Sequence, residues 1–422
     1  MPIADRHSVG AEAASEFEMQ LVGEYTRADR IAILTMAGKK EKSPIPPHVL
    51  LTRARGREPE MLDRLRALVE IESPSDDKAG VDQAVRLVSA WAGSLGAKVR
   101  VHRHAQFGDS LEVRFGPHSP REKPILLLGH LDTVWEIGTL ARMPWKVTRE
   151  RISGPGVLDM KAGVAMIFTA LAILIEDGPL CRPVTVLLHG DEEIGSPASR
   201  PLTETTARRS SVVYVLEPAQ GDAGAYKTSR KGVGQYRLAV EGVAAHSGID
   251  FARGHSATME LAGQMQAIDR IADPAHGITI NIGRISGGTR SNVVAAQAWA
   301  EIEVRIPRLR DQARVERLLR GLRPSDSGCA LHLSGGWNRP PMERTASTVA
   351  LFRRARRLAA ELGIVLDEAA TGGGSDGSFT SALGLPTLDG MGAVGAGAHN
   401  PQEHCLRRHL APRAALLAAM LQ

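Results

Sequence analysis

The residues Gly129-His130-Leu131-Asp132-Thr133 close the apolar run Pro124–Gly129, PILLLG. In open α/β sheets, functional groups collect at the carboxyl ends of strands. A neutral imidazole there is a good zinc ligand, and a carboxylate two residues on can hold the ring's other N–H, fixing its tautomer and basicity. His130 and Asp132 could equally satisfy each other in a core. The run Gly154–Gly163, GPGVLDMKAG, puts Asp159 at the start of an expected helix, as a ligand or as an N-cap. The run VTVLLHG leads into Asp191-Glu192-Glu193-Ile194-Gly195-Ser196. Three adjacent acids repel one another and need solvent, cations or a proton. A surface loop supplies solvent; a metal site uses one acid as ligand and a neighbour as proton carrier. Glu217 ends the run SVVYVL, and His399 lies in Gly395–Asn400, GAGAHN.

His130, Asp159, Glu193, Glu217 and His399 make five N/O ligands of the kind zinc favours, three of them at strand ends. A single catalytic zinc usually keeps three protein ligands and an open position, so five are too many for one ion. With Asp159 bridging, each of two ions obtains three, and a water held between them becomes the nucleophile. Glu192 then stays unligated and free to act as base.

The elements that must position these groups read as an α/β layer. Pro59 suits a first helical turn, with Met61, Leu62, Leu65, Leu68 and Val69 on one face. A second helix carries Val81, Val85, Val88, Trp91, Ala92 and Leu95, with Gly96 as its cap. Strands at Pro124–Gly129, Val184–Leu188 and Ser211–Leu216, with a helix over Lys161–Asp177, predict a mostly parallel sheet. After about Lys231 strands alternate polar and apolar residues (Tyr236–Val240, Ile278–Ile282, Trp299–Ile306), and helices are expected over Ser256–Ile271 and Gln312–Leu322. That pattern predicts a smaller α+β unit with one exposed sheet face. A helix over Val349–Leu362, glycine-rich turns and a C-terminal helix follow. Residues 1–57 read as an extension, either disordered or carrying one helix (Phe17, Leu21, Tyr25, Ala28), with Lys39–Pro47 as linker.

Composition narrows the class. The 422 residues suggest two or three domains at roughly 100–200 residues each. With 43% hydrophobic and 23% charged residues, the chain is a folded globular protein. No apolar run approaches the roughly 20 residues of a membrane span, so none is expected. The net charge, 52 − 47 = +5, is spread along the chain, and 4% aromatic residues offer few stacking platforms, so no nucleic-acid partner is expected. Cys181, Cys329 and Cys405 lie far apart and fit a reducing compartment. Acids at Glu12, Glu16 and Glu18 precede the short apolar stretch Ile31–Ala37, which is not the order of a signal peptide; a cytoplasmic location is expected.

The ordered set HLD, GPGVLDMKAG, DEEIGS, VLEP and a late TGGGSDGS followed by histidine resembles the M20 family of metallopeptidases, and within it the glutamate carboxypeptidase branch. The resemblance covers about residues 58–421. It implies a zinc-peptidase catalytic domain over 58–230 and 338–422, with a dimerisation domain inserted at 231–337. It also implies two zinc ions, replaceable by cobalt or manganese: His130 and Glu217 on one, Glu193 and His399 on the other, Asp159 bridging. Asp132 would orient His130, and Glu192 would carry the proton from water to the leaving amine. His246, in Ala244–Gly248, resembles the histidine that reaches the partner subunit's active site. Asn292 and Arg305 resemble contacts to a substrate carboxylate, and Gly373, Gly374 and Ser375 a substrate-side loop; a cross-strand ion pair is the other reading of Arg305. Glu303 stands where the family's strand usually has aspartate.

The expected activity is hydrolysis of an amide bond beside a free carboxylate, releasing a C-terminal glutamate or similar residue from a small molecule or peptide, by a homodimer. Deacylases of the acetylornithine, succinyl-diaminopimelate or aminoacylase type share every metal ligand and are the alternative within the family. A non-catalytic binding protein on the same fold is the alternative outside it.

Overall fold

The computed structural model describes residues 44–117 and 122–422. The helix expected around Phe17–Ala28 lies outside the described residues. Pro47 opens the first helix, α1 (Pro47–Gly56), whose Leu50 and Ala54, one turn apart, are fully buried. Arg53 and Arg57 tie it to Glu176 and Asp177. Among the described residues, regular structure therefore begins at Pro47 and not at Pro59, and the linker reading fails from Pro47 on. The segment looks too polar to dock, but two apolar residues on one face and the paired arginines are enough.

Helix α2 (Glu58–Val69) buries Met61, Leu65, Leu68 and Val69. Helix α3 (Lys78–Ser94) starts from Asp77, whose carboxylate accepts the Ala79 and Gly80 N–H groups, and stops before Gly96 at φ +75°. An antiparallel pair, β1 (Lys98–His102) and β2 (Ser110–Phe115), leads to the buried strand β3 (Ile125–His130). Helix α4 (Ala162–Ile175) precedes β4 (Val184–His189), β5 (Val212–Val215) and β6 (Tyr226–Arg230).

From Gly232 the chain builds a second sheet. Strands β7 (Gly232–Glu241), β8 (Thr279–Gly287), β9 (Gln297–Ile306) and β10 (Ala330–Arg339) pair antiparallel in the order β8-β9-β7-β10. Helices α5 (Ala257–Asp269) and α6 (Leu309–Arg320) belong to its core. Ala298, Ala300, Ile302, Val304 and Ile306 alternate inward on β9, leaving Trp299, Glu301, Glu303 and Arg305 on the open face.

The chain then returns through α7 (Ala346–Glu361), β11 (Glu368–Thr371), β12 (Thr387–Leu388) and α8 (Leu410–Met420). The main sheet has the order β1-β2-β4-β3-β5-β12, parallel from β4 through β12 and antiparallel at β1 and β2. It is the mixed, mostly parallel sheet expected, flanked by helices, with its antiparallel strands gathered at one edge. The segment Val157–Ile175, 19 residues at mean hydropathy 1.9, is long and apolar enough to cross a membrane, against the expectation that no run comes close. It is instead 89% buried among the helices and the sheet, which is why α4 can be apolar on all sides. A Cβ at Gly163 would lie 2.2 Å from the Leu216 carbonyl oxygen, so glycine lets α4 begin against the strand that leads to Glu217.

Candidate active site

The parallel strands end together, and their ends carry the chemistry. His130 is the last residue of β3, in register with His189 of β4. Its Nδ1 lies 3.0 Å from the Asp132 backbone carbonyl and 3.4 Å from the Asp132 carboxylate. Asp132 thus meets the ring more closely through its main chain than through its carboxylate. Its carboxylate accepts from Ser75 Oγ at 2.6 Å and from the N–H groups of Glu192 and Glu193 at 3.2 and 3.1 Å. Buried and fully bonded, it pins the acidic loop to the end of β3.

Asp159 is not an N-cap. It sits in an irregular turn, Val157–Lys161, ahead of α4. One carboxylate oxygen lies 3.2 Å from His130 Nε2 and the other 3.5 Å from His399 Nε2. Glu217 approaches His130 Nε2 at 3.5 Å, and Glu193 approaches His399 Nε2 at 3.1 Å. Ligand atoms of His130, Asp159 and Glu217 fall within 4.8 Å of one another, as do those of Asp159, Glu193 and His399. His399 takes a left-handed backbone, φ +60°, uncommon for a residue with a Cβ.

The electrostatics are those of crowded carboxylates. Burial opposes charge on His130, but hydrogen bonds to Asp132, Asp159 and Glu217 hold its pKa well above the usual imidazole value. Asp159 and Glu193 push His399 up to about 10. Burial would raise Asp159, but the two imidazoles outweigh it and hold its carboxyl far below the ordinary range. Burial pushes Glu193 up to about 7, and its Oε1 is buried with no hydrogen-bond partner. Two imidazoles, three carboxylates and an orphaned carboxylate oxygen fit divalent cations with N/O preference. His130, Glu217 and Asp159 would hold one ion, and Asp159, Glu193 and His399 the other.

The surface-loop reading of the three acids fails, since Asp191 and Glu192 are buried and Glu193 nearly so. Asp191 accepts from the Ala198 and Ser199 N–H groups and has a structural job. Glu192 faces the cavity and receives Nη2 of Arg339 at 2.7 Å. Burial pushes its carboxyl pKa well up, with Arg339 opposing.

A cavity of about 760 Å³ opens over these groups, lined also by Arg305, Gly373, Gly374, Lys227, Arg230 and Arg339. Two of the expected substrate residues, Ser375 and Asn292, are elsewhere, as is His246, the residue expected to serve a partner's site. Ser375 is fully buried, donating to Asp389 and accepting from the Gly377 N–H, so it supports the loop and does not face substrate. His246 and Asn292 are exposed on the second sheet's flank, outside the cavity lining. They lie together, with the Ser247 N–H donating to the Asn292 carbonyl at 3.1 Å. Arg305 pairs along its own strand with Glu303 at 2.9 Å, not across strands, and donates to the Gly372 carbonyl at 3.0 Å.

Sequence reasoning missed Glu403, Arg230, Arg339 and Lys227. Glu403, four positions after His399, accepts from the N–H groups of Gly156, Leu158 and Asp159 at 3.0, 2.8 and 3.1 Å and from Trp135 Nε1 at 2.8 Å. Its spacing from His399 was the only available signal.

A sheet whose strand ends and adjoining loops converge two imidazoles and three carboxylates, beside a fourth carboxylate free of them, defines a metal-dependent hydrolase. The model of peptidase family M20/M25/M40 matches residues 126–422, and the chain belongs to that family, whose members hydrolyse C–N bonds. Carboxypeptidase G2 of Pseudomonas sp. is 28% identical over 382 residues, covering 89% of this chain and 91% of the relative. Acetylornithine deacetylase of Yersinia pseudotuberculosis is 27% identical over 270 residues, 58% of this chain and 68% of the relative. Among solved structures, an M20 family metallo-carboxypeptidase from Sulfolobus solfataricus superposes with a TM-score of 0.67 at 16% identity, covering 86% of this chain and 98% of that one.

Proposed function

We propose that the chain is a two-metal carboxypeptidase that cleaves an amide bond beside a free carboxylate and releases glutamate or a similar amino acid. The observation that carries this reading is Asp159 offering one oxygen toward His130 and the other toward His399, with Glu192 adjacent and unshared. Zinc suits the donor set, with cobalt or manganese as substitutes. Bound there, the ions would polarise the scissile carbonyl and lower the pKa of water.

The chain's own residues do the rest. Glu192 accepts the proton of the attacking water and delivers it to the leaving amine, a role that suits a buried carboxyl with a raised pKa. Arg339 holds the Glu192 carboxylate and its carbonyl, fixing where the proton is taken. Arg305, at the cavity wall, is the candidate for the free carboxylate.

A homodimer through the second sheet completes the reading. Met259 of α5, Ile285 of β8, and Ile249 and Phe251 of the neighbouring loop are all exposed, as large apolar groups at an interface would be. His246 and Asn292, adjacent to each other and away from this chain's cavity, would then serve the active site of the second copy, with His246 stabilising the oxyanion.

The 27% identical acetylornithine deacetylase favours a second reading, removal of an acyl group from an amino acid. Metal analysis combined with hydrolysis of pteroyl-glutamate, N-acyl amino acids and dipeptides separates the two. Fastest turnover of the pteroyl or peptidyl glutamate supports the first, and fastest turnover of acetylornithine the second.

A further inference from the structure

Four lysine and arginine side chains line the cavity: Lys227, Arg230, Arg305 and Arg339. Arg230 is committed to the Asp389 carboxylate through two nitrogens and to the carbonyls of Gly373 and Gly374 through the third. Arg339 is committed through Nη2 to Glu192, Ser196 and Asp376 and through Nη1 to Asn338, with only its buried Nε unpaired. Arg305 uses Nε and Nη1 on Glu303 and Gly372, leaving Nη2 for a ligand. Lys227 differs from all three. It is only 8% exposed, and among the described residues its ammonium has no hydrogen-bond or ion-pair partner.

Its position is built. The Lys227 N–H donates to the Asp389 carbonyl at 2.8 Å, and the Asp389 N–H returns to the Lys227 carbonyl. The register of β6 on β11 slips between Lys227, opposite Ala369, and Ser229, opposite Ala370. Such a slip re-aims side chains, so Lys227 and Arg230, three positions apart, both reach the cavity. Gly390, at φ +67°, passes so close that a Cβ would stand 3.0 Å from Lys227 Cγ. An ammonium held in a fixed, largely dry place without a partner carries a desolvation cost that an incoming anion recovers. Burial, and then the nearby Arg230, lower its pKa; Asp389, Glu217 and Asp159 oppose them from a distance without offsetting the loss of water.

We propose that Lys227 is a specificity-determining residue whose ammonium receives the side-chain carboxylate of a dicarboxylic amino acid, while Arg305 takes the main-chain carboxylate. The assignment rests on the carboxypeptidase reading. It matches two carboxylates to Lys227, whose ammonium has no direct partner among the described residues, and to Arg305, whose Nη2 is free, and it makes preference for an acidic residue over its amide a property of one lysine.

The test compares N-benzoyl-glutamate with N-benzoyl-glutamine on the zinc-loaded full chain, as wild type, Lys227→Met and Lys227→Arg. Thermal midpoint and metal content are checked for each. In wild type the glutamate substrate is preferred. In Lys227→Met the ratio of kcat/KM, glutamate over glutamine, falls about 10- to 100-fold, the usual worth of a hydrogen bond to a charged group, and the loss lies in KM for glutamate. Lys227→Arg keeps part of the ratio. Calorimetric binding of free glutamate and glutamine gives a readout without turnover, and the wild-type preference disappears in Lys227→Met. An unchanged ratio in Lys227→Met, or equal binding of the two amino acids to wild type, overturns the Lys227 assignment alone. Absence of hydrolysis of every acyl amino acid by the zinc-loaded wild type overturns the carboxypeptidase reading instead.

Discussion

Arg339, the last residue of β10, grips Glu192 twice: its Nη2 donates to the carboxylate at 2.7 Å and to the carbonyl at 2.9 Å. The second sheet thus reaches back to the carboxylate proposed to move the proton. Ser196 and Asp376 accept from the same nitrogen, so the guanidinium is itself held in place. Glu192→Gln is expected to retain both metal equivalents and to lose turnover by about 10²- to 10⁴-fold, the usual worth of a positioned acid–base group. Metal analysis alongside kcat checks this. Near-wild-type turnover would sink the general-base role.

Glu403 should behave as a positioning residue for Asp159. Its substitution by alanine strands the N–H groups of Gly156, Leu158 and Asp159 and the Trp135 indole. Unsatisfied buried donors cost about 1–3 kcal/mol each, so Glu403→Ala should lower unfolding free energy by at least about 2 kcal/mol. Metal affinity, measured by chelator competition, should fall about 10- to 100-fold, as for other outer-shell partners of a ligand. Glu403→Gln, which keeps one acceptor oxygen, should recover part of both. A destabilised variant that binds metal as tightly as wild type would limit Glu403 to folding alone.

His246→Ala is expected to impair catalysis while leaving metal content intact. Mixing it with Asp159→Ala should restore activity if each active site draws its histidine from the other copy. The mixed dimer then contains one site with intact ligands and an intact incoming His246. Failure of the mixture to recover any activity would remove the support for a trans role.

Acid sensitivity has a local source at Asp109. Burial alone would raise its pKa, but Lys78, the His104 N–H and Arg103 outweigh it and hold the carboxyl below its ordinary value. A depressed folded-state pKa contributes stability that is present above the unfolded value, about 4, and is lost as pH falls through the lower folded value. Denaturant unfolding at pH 7 and at pH 3 should therefore show a smaller acid-induced loss in Asp109→Asn than in wild type. Equal losses would show that the Lys78 and Arg103 contacts do not hold in solution.

What the sequence by itself determined were the groups tied to local signals. His130 and Glu217 follow apolar strand runs, Asp159 and His399 sit in glycine-bearing turns, and Glu193 stands in an acidic triplet that repels itself unless something intervenes. Periodicity likewise fixed the helices α2 to α6 and the alternating strand β9, because burial patterns of period 3.6 or 2 are properties of neighbouring residues. Only the tertiary structure decided the partners. Arg339 meets Glu192 across 147 positions, and Glu403 meets Asp159 across 244. Ser375 looked like a substrate contact because its glycine neighbours read as an open loop, yet Asp389 turns its hydroxyl inward. Lys227 is one of ten lysines until the fold removes most of its water and, among the described residues, leaves its ammonium without a direct partner. Side-chain direction and desolvation are set by what packs on the other side, and that information is not local.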